Sequence, residues 1–293
     1  TFAVVQGDNQ FEFNLSDVIG VHRKLGALAT LALLEVDDPS QYGIAELSDG
    51  RVTRYLEKPK GEECFSNLIN TGLYIIEPEV LKLIPAAEMF DFSRNLFPLI
   101  LKSKKTVAGF RASGFWVDIG DPHSYLKAST WALDKLARQR GKAKGEFVQE
   151  SDSLVSERST LKAPVLLGKN VRIRPGATIG PYVCIGDGTE VSADTTIERS
   201  VVYENTQIGI TSVLDTCVVA ENCKIGDHVQ IERNAVIGAA TELRDNVRLA
   251  AESKVGPWST VEGSATVQGT VTPFENHLDR ISEILEKSSV DLR

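Results

Sequence analysis

The sequence predicts two units of different architecture: a mixed α/β domain over residues 1–137 and a parallel β-helix over 163–272. Three observations carry this. Apolar runs of strand length alternate with helix-like segments through residues 1–120. From Leu167 onward an aliphatic residue recurs every six positions. Between the two lies the polar stretch RQRGKAKGEFVQESDS, which reads as part of a linker over 138–162.

In the first unit, Phe2-Ala3-Val4-Val5 reads as a buried strand. It ends in the tight turn Gln6-Gly7-Asp8, which would present a carboxylate at a strand's carboxyl end, where ligands bind in open α/β sheets. LSDVIGVHRKLGA follows as a helix, with Ser16 placed to cap it and Gly26 placed to end it. LATLALLEV, over 28–36, is the next strand. YGIAEL and VTRYLEKP flank Ser48-Asp49-Gly50, whose Asp-Gly predicts a hairpin. LINTGLYIIEP is a further strand, after which Pro78 opens a helix through VLKLI. KTVAGF and GFWVDIG add two more strands, and Asp121-Pro122 caps a helix running to about Leu136.

The second unit changes period. Leu167, Ile173, Ile179, Ile185, Val191 and Ile197 are six apart; after a five-residue step the series resumes at Val202, Ile208 and Leu214. A second short step leads to Val219, from which it runs on to Val267. The next residue is often Gly, and a small residue stands four places on. This is a hexapeptide-repeat solenoid of roughly six triangular coils, with the aliphatic residue filling the prism and glycine suiting corners of positive φ. LDRISEILEK, within 273–293, has Leu278, Ile281, Ile284 and Leu285 on one helical face and reads as a terminal cap.

Bulk properties narrow the function classes. A net charge of −8 and a pI near 5.2 argue against general nucleic-acid binding, which needs a basic face. No apolar stretch is long enough for a membrane span. Cys64, Cys184, Cys217 and Cys223 show no CxxC spacing, and predict free thiols in a cytoplasmic protein.

Four motifs in the first unit could carry chemistry: Asp8, Glu57-Lys58-Pro59, Asn70-Thr71-Gly72 and Asp118. Singly, each has a plain structural reading. Asp8 or Asp118 is a turn residue, Glu57-Lys58 a solvated edge pair and Gly72 a bulge. Together they form a set. Two carboxylates from separate strand ends can hold one Mg²⁺, which takes one or two carboxylates plus substrate phosphates. A lysine supplies a point charge for a phosphate, while Glu57 and Asn70 supply hydrogen bonds to hydroxyls. That is equipment for phosphoryl-type transfer involving a sugar phosphate.

QGD, YGI, EKP, NTGLYIIEP, FDFSRNLFP and FWVDIGDPHSYLKA, followed by hexapeptide repeats, resemble the sugar-1-phosphate nucleotidyltransferases, and within them the mannose-1-phosphate guanylyltransferase-like and glucose-1-phosphate members. The resemblance implies a Rossmann-like nucleotidyltransferase domain with a mixed sheet, then a left-handed parallel β-helix. It implies attack by a sugar 1-phosphate on the α-phosphate of an NTP, with GTP and mannose 1-phosphate as the leading pair. Asp8 and Asp118 would be the Mg²⁺ ligands, Lys58 would hold the sugar's phosphate and Glu57 its hydroxyls. Gly43, by its backbone, and Asn70-Thr71 would line the sugar pocket. In that family the strand ending in the metal-binding Asp follows a glycine-rich GGxGTRL-type loop, which nothing here matches. The resemblance therefore places TFAVVQGD in the middle of a fold, without the amino-terminal part of the domain.

Two other functions fit parts of the sequence. A non-catalytic, sugar-phosphate-binding or regulatory subunit would account for the unmatched glycine loop, but not for two kept carboxylates. A hexapeptide acyltransferase would need a histidine at a coil interface. His228, in IGDHV, reads instead as a solvent-facing corner. Solenoid flanks commonly mediate association, so a homo-oligomer through the β-helix is expected. Trp258, in GPWSTV, is bulky for a corner and is read as an interface or a surface-packing residue.

Overall fold

A computed structural model describes residues 1–140, 148–149 and 152–273. The expected cap helix within 273–293 lies outside the described residues, apart from Pro273 itself. The chain forms two compact units, Thr1–Gly120 and Asp121–Arg293.

The first unit contains β1 (Phe2–Val5), β2 (Asn9–Phe11), α1 (Leu15–Leu25), β3 (Ala29–Glu35), β4 (Gly43–Ser48), β5 (Arg51–Glu57), β6 (Leu68–Ile76), α2 (Phe97–Lys102), β7 (Val107–Arg111) and β8 (Trp116–Asp118). Six strands make a mixed sheet in the order β1-β6-β3-β7-β5-β4, and β2 and β8 form a separate two-stranded ladder. Only β3 and β7 run parallel in the six-stranded sheet. The β4–β5 hairpin turns at Asp49 and Gly50, both at positive φ, as the Asp-Gly pair predicts. It is anchored at two places, Arg51 against Ala108 of β7 and Ile44 against Ile69 of β6.

Because side chains alternate across a strand, β3 and β6 feed two cores at once. Ala29, Leu31, Leu33, Tyr74 and Ile76 pack with Leu96, Phe97 and Ile100 around α2. Ala32, Leu73 and Ile75 face Val18 of α1 on the other side. Helix α1 is capped by Asn14, whose side chain accepts from the Ser16 amide, and not by Ser16 itself. It closes on Gly26 at φ 54, the left-handed cap that glycine supplies at no Cβ cost. The segment opened by Pro78 is a 3₁₀ helix, Pro78–Leu83. A single π turn, Phe92–Leu96, leads into α2; its Asp91 side chain accepts from the Arg94 amide at 2.7 Å.

The second unit begins with α3 (Pro122–Gln139), capped by a reciprocal Asp121–Ser124 box. Three parallel sheets of seven, seven and eight strands follow, so the solenoid has about seven turns. Pairing starts before residue 163: Val148–Gln149, Leu154–Val155 and Thr160–Leu161 already belong to the three sheets. Much of the expected linker is thus the first coil. The register absorbs both short steps, with Cys184 beside Val201 and Val201 beside Val218, where other coils step by one residue more. The aliphatic residues of the repeat form one continuous interior, from Leu167 to Val267.

Except at Gly180, at φ 101, the glycine that follows the aliphatic residue does not owe its place to positive φ. That conformation falls two residues later, at Asn170, Gly188, Asn205, Thr211 and Asn222, where Asn is the best-tolerated residue after Gly. Gly186 has an ordinary φ, yet a Cβ there would stand 2.5 Å from the Glu204 backbone nitrogen in the next coil. Where the small residue four places on is Thr189, Thr195, Thr206 or Ser212, it is buried and its hydroxyl donates to a carbonyl of the next coil. Thr206 Oγ1 donates to the Ala220 carbonyl at 3.2 Å and accepts from the Cys223 amide at 3.4 Å. His228 is an exposed corner residue at φ 57, its amide bonded to the Ile210 carbonyl.

Candidate active site

The two acidic residues singled out from the sequence lie at the same end of the β2–β8 ladder. Asn9 stands opposite Asp118, and the Ile119 amide donates to the Asp8 carbonyl at 2.8 Å. Asp8 is exposed and Asp118 partly buried. Asp8 is held by its neighbours: the Gln6 amide donates to the Gly72 carbonyl at 3.0 Å, and Asn9 Nδ2 donates to Gln6 Oε1 at 2.9 Å. Both amide side chains lie over the bare Cα of Gly72, at φ 78. A Cβ there would stand 2.2 Å from Gln6 Oε1 and 2.5 Å from Asn9 Nδ2. The close approach that a mid-strand glycine signals is therefore made by the protein's own amides. Among the described residues Asn9 Oδ1, on the residue that pairs with Asp118, is buried with no hydrogen-bond partner.

Glu57 and Lys58 end β5. Lys58 adopts φ 48, and its amide donates to the Tyr42 carbonyl at 3.0 Å, so the exposed side chain leaves a strained turn rather than a strand. Gly43 pairs with Glu57 across the β4–β5 ladder. It is fully enclosed: a Cβ there would lie 2.0 Å from Tyr55 Oη and 2.5 Å from Glu57 Oε2.

Asn70 and Thr71 are placed differently from the sequence expectation. The Thr71 hydroxyl is buried and donates to the Ala32 carbonyl at 2.8 Å, so its side chain faces the sheet and not a ligand space. The Asn70 amide is engaged inside the domain, with Nδ2 3.1 Å from Tyr55 Oη and 2.9 Å from Tyr74 Oη.

Trp116 joins the carboxylate edge to the Glu57–Lys58 edge. Its indole N–H donates to the Thr71 carbonyl at 3.0 Å, and its ring meets Tyr42 edge-on at 5.4 Å between centroids. Tyr42 in turn receives the Lys58 amide, and β8 carries Trp116 and Asp118 on one face as residues i and i+2. Sequence reasoning missed Tyr42, Tyr55, Gln6, Asn9 and Trp116. The i, i+2 spacings Tyr55/Glu57 and Trp116/Asp118 were the signal available.

The donor set suits a hard divalent cation. Two carboxylates at adjoining strand ends are what Mg²⁺ uses together with substrate phosphates, and the orphaned Asn9 oxygen adds a further oxygen acceptor nearby. Among the described residues no group of three or more His, Cys, Asp or Glu side chains is placed to bind a metal by itself.

Known proteins share both units. Residues 1–135 match the nucleotidyl transferase family model, and residues 161–272 match the GMPPB C-terminal domain model. Mannose-1-phosphate guanylyltransferase 1 of Arabidopsis thaliana is 28% identical over 248 residues, covering 84% of this chain and 64% of the relative. A UTP–glucose-1-phosphate uridylyltransferase of Synechocystis is 28% identical over 256 residues, covering 83% and 66%. A mannose-1-phosphate guanyltransferase of Aspergillus fumigatus is 30% identical over 255 residues, covering 84% and 65%. The chain thus spans just under two thirds of the length of these relatives. By these matches residues 1–135 are similar to the nucleotidyl transferase family, and residues 161–272 to the GMPPB C-terminal domain.

Proposed function

We propose that this protein transfers a nucleotidyl group from an NTP to a sugar 1-phosphate, giving an NDP-sugar and pyrophosphate, with GTP and mannose 1-phosphate as the pair. The observation that carries the reading is the Trp116 bridge. Through Thr71 and Tyr42 it links the strand end that carries Asp118 to the strand end that carries Glu57 and Lys58, which supports reading the two as one site. The guanylyltransferase names of two relatives favour mannose; the uridylyltransferase relative, at the same identity as one of them, supports glucose 1-phosphate as the second reading.

In this reading Lys58 binds the sugar's phosphate as a point charge, and Glu57 accepts from its hydroxyls. An oxygen of that phosphate attacks the α-phosphorus. As the new P–O bond forms, the bond to the bridging oxygen breaks and pyrophosphate leaves with the electron pair. The nucleophile is already ionised, so no general base is needed. The chain's work is alignment and charge compensation. Mg²⁺ held by Asp8 and Asp118 would supply further neutralisation of phosphate charge. Gly43, whose Cα face is filled by Tyr55 and Glu57, acts by leaving room for that pair. Asn70 acts through its neighbours and Thr71 through its backbone.

We further infer self-association through the solenoid. Ile210, Val213 and Trp258 are large apolar side chains that the solenoid leaves exposed. Cytoplasmic residence rests on four free cysteines and remains part of the proposal; among the described residues no helix is long and apolar enough to cross a membrane.

Pyrophosphate release over a matrix of four NTPs and several sugar 1-phosphates, with MgCl₂, tests the function. GTP with mannose 1-phosphate is expected to be fastest. A fastest pair of UTP and glucose 1-phosphate would move the assignment to the second reading. Tight sugar-phosphate binding without turnover for any pair would overturn the catalytic reading in favour of a binding subunit.

A further inference from the structure

The Glu57 carboxylate is held from inside the protein. Tyr55 lies two residues earlier on the same face of β5, and its Oη donates to Glu57 Oε2 at 3.1 Å. Among the described residues this is the side-chain hydrogen bond that the carboxylate receives. Space for it exists because the residue opposite Glu57 is Gly43; any Cβ there would collide with both the phenol oxygen and the carboxylate.

Tyr55 is itself fixed from behind. Asn70 Nδ2 stands 3.1 Å from Tyr55 Oη, 2.9 Å from Tyr74 Oη and 3.1 Å from Ser93 Oγ. An amide nitrogen has two protons for these three oxygens, so hydroxyl protons complete the ring of bonds. The orientation of the amide is settled at its other end, where Asn70 Oδ1 accepts from the Gly72 amide at 3.1 Å. Burial pushes both phenols well above the ordinary tyrosine value, so both stay protonated donors. The Tyr55 ring packs edge-on against Phe97 at 5.6 Å between centroids. This network explains why FDFSRNLFP, distant in sequence from EKP, belongs to the same site: its π turn delivers Ser93.

We propose that Tyr55 is a positioning residue for the sugar-phosphate half of the site: by occupying Glu57 Oε2 it presents Oε1 to the hydroxyls of a bound sugar 1-phosphate. The proposal rests on the nucleotidyltransferase reading above. Asn70 and Ser93 support it from a second layer. A buried, fully bonded network of this kind locks the acceptor in advance, so little entropy is lost when the ligand arrives.

The test is calorimetric binding of mannose 1-phosphate, glucose 1-phosphate and inorganic phosphate to the full chain with Mg²⁺. The proteins are the wild type, Tyr55→Phe, Glu57→Gln and the double variant. Tyr55→Phe keeps the ring on Phe97, and its melting curve checks the fold. It is expected to weaken whichever sugar 1-phosphate binds by roughly 10–100-fold, as loss of a bond to a charged group does. It should leave inorganic phosphate, which reaches Lys58 and not Glu57, unchanged. In the Glu57→Gln background it should add little, because the two residues act as one unit. Equal weakening of phosphate, full additivity, or an unchanged sugar-phosphate affinity in Tyr55→Phe would each overturn the positioning role alone. A wild-type protein that binds neither sugar 1-phosphate would overturn the underlying reading, and this inference with it.

Discussion

Asn9 faces Asp118 across a two-stranded ladder, and the next amide along, Ile119, donates to the Asp8 carbonyl at 2.8 Å. Two residues 110 positions apart are thereby tied by backbone bonds, whatever their side chains do. Replacing either carboxylate by its amide should leave the fold intact and remove charge compensation. Asp8→Asn and Asp118→Asn are each expected to lower the rate of pyrophosphate release on the order of 10²–10³-fold. Mannose 1-phosphate binding measured without Mg²⁺ should stay within about twofold, since Lys58 and Glu57 are untouched. Loss of sugar-phosphate binding in parallel with rate would show that the two edges are not separable.

Gly72 and Gly26 separate two costs of adding a methyl group. Both sit at positive φ, but a Cβ on Gly26 meets nothing within 4 Å, whereas one on Gly72 meets the Gln6 and Asn9 amides. Gly26→Ala should cost about 1–2 kcal/mol from backbone strain alone. Gly72→Ala should cost about 1–3 kcal/mol more, because the two amides must move. Their movement should also loosen the turn that carries Asp8, raising the Mg²⁺ concentration needed for half-maximal rate, an effect Gly26→Ala lacks. Chemical denaturation and a metal titration of both variants measure the two differences.

Much of this was legible in the chain, for reasons that differ by element. The β4–β5 hairpin was readable because Asp49-Gly50 fixes a turn locally, and the solenoid because its period repeats far beyond coincidence. The two short steps at Val202 and Val219 were visible as well, although only pairing shows that they shorten a coil instead of breaking it. The supports of the candidate site were not readable. Tyr55, Asn9 and Trp116 are ordinary strand residues whose roles come from partners that the topology brings in from far along the chain. Thr71 was expected beside a ligand, and its hydroxyl turned out to be spent on the Ala32 carbonyl, an inward turn that strand alternation alone could not reveal next to a bulge.

Gly186 tests the revised account of the repeat. Its φ is ordinary, so a rule based on positive φ alone predicts that alanine is tolerated there. The close approach of the next coil predicts otherwise: the colliding atoms are the Glu204 nitrogen at 2.5 Å and the Tyr203 carbonyl carbon at 2.7 Å, both backbone. Gly186→Ala should destabilise the solenoid by about 1–3 kcal/mol. The effect should centre on coils flanking the substitution, as nearest-neighbour coupling in a repeat array requires. Hydrogen exchange at the Thr206 and Thr189 amides, compared with those near Val261, reads this out. Uniform protection throughout the solenoid would contradict it.

Glu77 provides the acid-stability prediction. The Thr1 hydroxyl donates to it at 2.5 Å, and the buried His22 imidazole lies against it at 3.0 Å through Nε2. Together they hold its carboxyl down to about 2. A carboxyl whose folded-state pKa is lowered stabilises the fold above its unfolded-state value, and that contribution disappears as pH falls through the window down to the folded value. Glu77→Gln should therefore melt lower than the wild type at pH 7, and the gap should narrow steadily between the ordinary glutamate value and pH 2. Because Glu77 is solvent-accessible, the gap should also shrink in high salt. His22→Gln keeps a partner for Thr30 while removing the imidazole from Glu77, and should reproduce part of the same narrowing. Melting temperatures of the three proteins from pH 2 to 7, at two salt concentrations, decide the matter: a gap that persists unchanged at pH 2 would mean that packing, and not the ionised carboxylate, is what Glu77 contributes.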